Sequence, residues 1–358
     1  MFYRLSNDEI TNALNELISC FGVKGDMPSD DLVVLLRKKN AEGCVQEIAA
    51  RLDLPVRISL SYVPKDFKPD NTDGFLSSAL ARTDWTGRGI EGITAQVSIP
   101  QYLPMFGTSG LQGYPIRVRV SENCHEHPDT FVAIMAHELS HVLLASLWSP
   151  HKDSELHTDL VPILLGFRDA VRRGRKTIES TTSGNTTTTR TTTYGYLTDS
   201  QFEFACSHVM RILERHQRDK NHLIEVVKQV QRKLRKATRV LVAFRDYFNY
   251  LDRQPPDKMR PEHAQRLVQL HTPQDYSLGW ESRIIAIRKS TEVAEAFVRQ
   301  LNHYKPGVVE HLRTHTLALE VASDELDQVT QAITKDERIL LKYVGFIYRL
   351  RRRLWRQS

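Results

Sequence analysis

Two histidines and a glutamate lie within five residues of one another, in the segment HELSH at residues 137–141. A zinc hydrolase needs protein ligands for its metal, an open position for water, and a carboxylate that accepts the proton of that water. Histidines four residues apart on a helix project from one face, and a glutamate directly after the first lies about 100° further round. The spacing therefore predicts that His137 and His141 bind zinc and that Glu138 is the general base.

Glu138 is the only formally charged residue between Phe131 and Trp148, in a segment that is otherwise strongly apolar. A carboxylate and two imidazoles in such a helix cost free energy unless something pairs with them. A metal ion would pair with them; core histidines that bond to backbone groups are the alternative. The context favours the metal.

A third ligand is expected on a nearby element. Glu155 and Asp159 lie four residues apart and would share one face of a helix. Glu155 would bind the metal, and Asp159 would accept a hydrogen bond from a ligand histidine and so fix its tautomer. His151 and His157 are alternative third ligands, because imidazole binds zinc as readily as carboxylate does.

HELSH followed by ELHTD resembles the HExxH plus ExxxD pattern of the gluzincin clan of zinc metallopeptidases. The resemblance covers residues 115–166. It implies a compact zincin-like domain in which His137, His141 and Glu155 bind Zn²⁺, Glu138 acts as the base and Asp159 supports a ligand.

Peptide hydrolysis also requires a group that stabilises the oxyanion of the tetrahedral intermediate. Tyr194, Tyr196 and His208 are candidates by their position after the second helix; we assign the role to Tyr196, with ordinary packing as the alternative for each. The resemblance further implies that an extended peptide substrate adds to an edge strand, Ile116–Val120.

The elements that must position these residues follow from apolar periodicity. The HELSH helix is expected at about 129–148 and a second helix at about 153–173, with a kink at Pro162. Glycine and proline predict an irregular loop at 100–113. The other predicted elements are helices at 7–21, 29–39 and 40–52 and strands at 56–63, 93–99 and 115–120.

Residues 177–193, TIESTTSGNTTTTRTTT, are of low complexity and are predicted to form an exposed mobile loop. Thr198 and Gln201 have the spacing of a capping box, which predicts a helix that continues to about Arg215.

Beyond residue 217 every segment is predicted to be helical. Apolar residues repeat there with heptad spacing, at Leu223, Val227, Val230, Leu234, Ala237, Leu241, Phe244, Phe248 and Leu251. This pattern is typical of a coiled-coil seam that ends at Pro255-Pro256. A helix at 281–304 is expected to cover the seam as an antiparallel hairpin, and a second copy of the chain is the alternative. Further helices are predicted at 308–334 and 336–356.

The predicted fold class is α+β: a zincin-like peptidase domain at 1–216, with a small sheet and active-site helices, followed by an all-α domain at 217–358. Residues 201–358 carry 29 Lys and Arg against 19 Asp and Glu, a net charge of +10. An arginine cluster at 349–356 suggests the alternative of a helical interaction or nucleic-acid-binding protein with a structural zinc site, although no nucleic-acid-binding motif is present. The intact Glu138 favours a peptidase that acts on a protein or peptide substrate.

The remaining features predict a cytoplasmic protein. The four cysteines are scattered, with no paired spacing, which is typical of reduced thiols. No uninterrupted apolar run is long enough for a membrane span. Asp8 and Glu9 stand where a secretory signal would need an apolar core.

Overall fold

The computed structural model describes residues 5–65, 67, 81–83, 95–183, 186–253, 261–262, 265, 276–301 and 303–341. It is a mixed α+β structure with two small sheets among these residues and a mostly helical C-terminal region. The chain divides into two compact units, Met1–Glu214 with His303–Pro306 and Arg215–Asn302 with Gly307–Ser358.

The first unit contains six helices that lie wholly within it among the described residues. A capping box of Ser6 and Glu9 begins the first of them, because the Ser6 hydroxyl accepts from the Glu9 N–H and the Glu9 carboxylate accepts from the Ser6 N–H. The helices are α1 (Asn7–Phe21), α2 (Asp30–Arg37), α3 (Ala41–Arg51), α4 (Pro128–Ser146), α5 (Glu155–Leu164) and α6 (Arg168–Gly174).

The described part of this unit includes a three-stranded sheet. Its strands lie in the order β1 (Arg57–Val63), β4 (Pro115–Ser121), β3 (Ala95–Val97). β1 runs parallel to β4, and β3 runs antiparallel to it. The prediction that Ile116–Val120 is an edge strand is therefore wrong, because β4 is central. Alternation in the sequence shows which face of a strand is buried, and Ile116, Val118 and Val120 are indeed buried. It does not show whether both edges of the strand are paired.

The predicted helix at 153–173 is two helices, α5 and α6. Pro162 lies inside α5, which ends two residues later. Gly166 then adopts a φ of +92°, and a Cβ there would approach the carbonyl oxygen of Gly25 to 2.4 Å. The break therefore requires glycine, since both the left-handed backbone and the close packing exclude a side chain.

The predicted mobile loop at 177–193 is instead a β-hairpin. β5 (Lys176–Ser183) pairs antiparallel with β6 (Thr186–Tyr194), and β2 (Ala81–Thr83) pairs with the other side of β6. Threonine is β-branched and favours extended backbone, so a threonine run can pair even when its composition is simple. Hydroxyls of facing residues lie 3.3 Å apart at Ser180–Thr189 and at Thr182–Thr187.

The helix that follows the hairpin, α7, spans Asp199–Asp252. The predicted capping box is confirmed: the Gln201 side chain accepts from the Thr198 N–H at 2.8 Å, and the Thr198 hydroxyl accepts from the Gln201 N–H at 3.3 Å. The predicted end near Arg215 is wrong, because the helix continues into the heptad segment. The division between the two units thus falls inside one helix, between Glu214 and Arg215.

The second unit is a helical bundle of α7 from residue 215, α8 (Tyr276–Gln300) and α9 (Pro306–Leu341). Bonds between Gln231 and Glu295 and between Arg245 and Glu281 show that α7 and α8 are antiparallel. α9 spans both helices predicted at 308–334 and 336–356, as far as the described residues extend. The seam side chains that the structure describes are buried in one core with α8 and α9: Leu223, Val227, Val230, Leu234, Ala237, Leu241 and Phe244.

Several predicted features lie outside the described residues: the break at Pro255-Pro256, the arginine cluster at 349–356 and the side chains of Phe248 and Leu251. Within the part of the chain that is described, no helix is both long enough and apolar enough to cross a bilayer.

The cysteines provide a test of how the first unit is packed. Cys20 is exposed, whereas burial raises the pKa of Cys44 to about 12 and the pKa values of Cys124 and Cys206 to about 11. Only roughly a thousandth of a thiol with a pKa of 11 is ionised at pH 8, and the thiolate is the reactive form. We expect one thiol to react rapidly with a disulfide reagent in the native protein and four after denaturation. The Cys20→Ser variant should lose the rapid phase; any thiol that still reacts rapidly in that variant would contradict the packing.

Candidate metal centre

Helix α4 holds two imidazoles and a carboxylate inside the first unit. Pro128 occupies its first turn, and nearly every residue from Thr130 to Ser146 is buried. The rings of His137 and His141 lie 5.1 Å apart between centroids and are almost perpendicular, at 84°. The four-residue spacing has therefore placed both imidazoles on one side of a buried helix, as predicted.

Glu155, the first residue of α5, completes the cluster. Its Oε2 lies 3.3 Å from His137 Nε2 and 3.5 Å from His141 Nε2. All three atoms are buried, and none of them has a hydrogen-bond partner among the described residues. Ligand atoms at zinc distances of about 2.0–2.1 Å in tetrahedral geometry stand about 3.4 Å apart. The donor set, spacing and lack of partners fit a zinc ion.

Each histidine is oriented by a hydrogen bond at its other nitrogen. His137 Nδ1 donates to Asp159 Oδ1 at 2.7 Å. His141 Nδ1 lies 3.3 Å from Thr158 Oγ1, whose own proton is donated to the Ser154 carbonyl at 3.0 Å. Both contacts leave Nε2 facing Glu155, which is how a ligand histidine is held in metal sites. Thr158 was not predicted from the sequence, although it lies beside Asp159 on the helix that carries Glu155.

Asp159 also fixes the segment that follows the hairpin. Its Oδ2 accepts from the N–H groups of Tyr196 at 2.6 Å and Leu197 at 3.1 Å. Gly195 turns the chain with a φ of +90°, and a Cβ there would lie 3.2 Å from Asp159 Oδ1. One carboxylate thus connects α4, α5 and the segment that carries Tyr196.

Tyr196 is the oxyanion candidate that lies at the cluster. Its ring stacks near that of His137, with centroids 6.3 Å apart. Burial and the neighbouring carboxylates raise the pKa of Tyr196, so that it remains a proton donor at neutral pH. Of the other two candidates, Tyr194 lines a cavity that His137 and Glu138 also line, and His208 packs beside Phe204 on α7.

The electrostatics of the cluster favour a bound positive charge. Burial by itself lowers the pKa of His137, but contact with Asp159 and Glu155 outweighs it and raises the pKa to about 10. Burial raises the pKa of Glu155, whereas the two imidazoles lower it to about 2. A metal cation would compete with a proton for the position between the two imidazoles and Glu155.

The alternative third ligands do not join the cluster. His151 Nε2 and His157 Nε2 lie 3.1 and 3.2 Å from Glu16 Oε2 on α1 instead. Glu155 is the residue that the structure brings to His137 and His141.

Glu138 is buried on α4 beside His137, and both residues line a cavity that is partly open to solvent. Ala133, Ile134 and Pro162 form apolar parts of its wall. A substrate group in this cavity would lie next to the carboxylate that the sequence assigns as the base.

We expect Asp159→Asn to weaken zinc binding by about 10- to 100-fold, the usual effect of losing a residue that orients a ligand. Both carboxylate oxygens of Asp159 accept hydrogen bonds, from His137 Nδ1 and from the Tyr196 N–H. Asparagine has one acceptor oxygen, so its amide NH₂ would point at one of these two donors. Competition with a chromophoric chelator measures the change. Asp169→Asn, at an exposed position, is the control. Unchanged affinity in Asp159→Asn would show that Asp159 does not orient His137.

No protein-family model, no curated protein and no solved structure matches this chain. The interpretation of the site therefore depends on its own residues and on the resemblance of HELSH and ELHTD to the gluzincin pattern.

Proposed function

We propose that this protein is a zinc-dependent peptidase of the gluzincin type that hydrolyses peptide bonds of a protein substrate. The observation that supports this most directly is the convergence of His137 Nε2, His141 Nε2 and Glu155 Oε2, three buried atoms that lack hydrogen-bond partners among the described residues. Buried polar atoms normally have partners, and a shared cation supplies one to all three.

The residues around the cluster support hydrolysis rather than a structural site. When bound, zinc lowers the pKa of water and polarises a carbonyl group. Glu138 accepts the proton of the attacking water and passes it to the leaving amine. Tyr196, which remains protonated, donates a hydrogen bond to the oxyanion that develops on the substrate. Asp159 and Thr158 keep both imidazoles in the tautomer that frees Nε2.

The helical unit would serve recognition or assembly. The alternative, a helical interaction or nucleic-acid-binding protein with a structural zinc site, was suggested by arginines that lie outside the described residues. A buried Glu138 beside the cluster supports the peptidase. The four cysteines are free thiols, which supports a cytoplasmic location.

Metal analysis and a peptidase assay on the purified protein test the proposal. We expect about one tightly bound zinc per chain, and hydrolysis of an unfolded protein substrate that a chelator stops and zinc restores. His137→Ala and His141→Ala should lose both metal and activity, whereas His208→Ala, away from the cluster, should retain both. Hydrolysis that is insensitive to chelators, or a protein that binds zinc but cleaves no peptide library, would contradict the proposal.

A further inference from the structure

A second group of metal-binding side chains lies in the first unit, separate from the centre described above. It consists of Glu16 on α1, His151 in the connection between α4 and α5, and His157 on α5. One potential ligand atom from each residue lies within 4.8 Å of the other two. Both histidines present Nε2 to the same carboxylate oxygen, Glu16 Oε2, at 3.1 and 3.2 Å.

The group is partly preorganised. His157 is more than nine-tenths buried, and its Nδ1 lies 2.8 Å from the hydroxyl of Ser154, the residue that caps α5. Its ring is therefore held with Nε2 directed at Glu16. His151 stacks on it in parallel, with centroids 4.1 Å apart and planes 3° apart. His151 is much more exposed, so its ring can rotate at little cost.

We propose that Glu16, His151 and His157 form a second site for a divalent transition metal such as zinc. Two imidazoles and one carboxylate are a ligand set that zinc binds, with water in the remaining position. Parallel rings cannot both direct an in-plane lone pair at one ion, so His151 must turn out of the stack when the metal binds. This rearrangement makes the second site weaker than the first.

The second site is distinct from the first because of its position on α5. Glu155 and His157 are two residues apart and therefore face different sides of that helix. An ion at the second site would connect α1 to the start of α5 and to the chain that leads there from α4. Its occupancy would stabilise the first unit, because the ion binds the folded arrangement of all three elements.

Zinc titration of the metal-free protein against a chromophoric chelator tests this directly. We expect about two equivalents per chain in the wild type at micromolar zinc, and about one in the His137→Ala/His141→Ala variant, which lacks the first site. Glu16→Gln combined with His151→Ala should remove only the weaker equivalent. Asp8→Asn, a neutralised carboxylate elsewhere on α1, is the control and should keep both.

A second measurement keeps the test independent of the proposed function. In the His137→Ala/His141→Ala background, added zinc should raise the melting temperature, and it should fail to do so once Glu16→Gln is included. If the double histidine variant does not fold, as judged by exposure of its buried thiols, Glu155→Ala replaces it. If the first site binds no zinc, the wild type should bind a single equivalent, which Glu16→Gln with His151→Ala removes. A single equivalent that survives Glu16→Gln with His151→Ala, or a second equivalent that survives these substitutions, overturns the inference whether or not the protein is a peptidase.

Discussion

Replacing Glu138 by glutamine is expected to abolish hydrolysis while leaving zinc bound. The amide has nearly the same shape as the carboxylate but cannot accept a proton at neutral pH. Loss of a positioned general base costs about 10²- to 10⁴-fold in rate, which would bring the activity to the detection limit of most peptidase assays. The metal should remain, because the three converging atoms belong to His137, His141 and Glu155.

Parallel measurement of kcat and of zinc content distinguishes a role of Glu138 as general base from a role in holding the metal. Glu126→Gln, an exposed carboxylate just before α4, is the matched control and should behave as the wild type. The Glu138→Gln variant, with its metal intact, should also retain bound substrate long enough for a pull-down. If Glu138→Gln loses zinc as His137→Ala does, Glu138 supports the metal rather than the chemistry, and the assignment of the base is wrong.

The core of the candidate site could be predicted because its residues are related by helical spacing. Four-residue separations place His137 with His141 and Glu155 with Asp159, and they depend only on local backbone geometry. The structure brings Glu155 to both histidines and Asp159 to His137 Nδ1. Glu155 was preferred over His151 and His157 because of its spacing from Asp159 and the resemblance to the gluzincin pattern. Only the tertiary structure separates the three residues, which occur within seven positions of one another.

Two of the errors and one omission arose because pairing between chain segments leaves little trace in a local sequence pattern. The burial of Val118 on β4 is visible as alternation, but the strands on either side of it come from residues 57–63 and 95–97. In the threonine-rich hairpin, simple composition concealed β-branched residues that pair between β5 and β6. Thr158 was missed because its contact with His141 spans two helices.

Leu241→Asp is expected to unfold the helical unit, whereas Val242→Asp, one residue later on α7, should be nearly neutral. Leu241 is 5% exposed within the bundle core, and Val242 is 52% exposed. An unpaired carboxylate in an apolar core costs several kcal/mol, a large part of the 5–15 kcal/mol that stabilises a typical domain. Loss of helical circular dichroism and a lower melting temperature would measure the effect. Equal effects of the two substitutions would show that the seam is not the core of this unit.

The same variant tests whether the first unit is stable without the second. α7 contributes to both, but its first three turns have their own buried contacts in the first unit, through Phe202, Cys206 and Val209. The helix can therefore unwind beyond residue 215 without removing them. We expect Leu241→Asp to retain zinc and to keep Cys44, Cys124 and Cys206 protected from a thiol reagent. If these thiols become reactive and the metal is released, the two units unfold together, because α7 transmits the loss of the bundle to the helices of the metal centre.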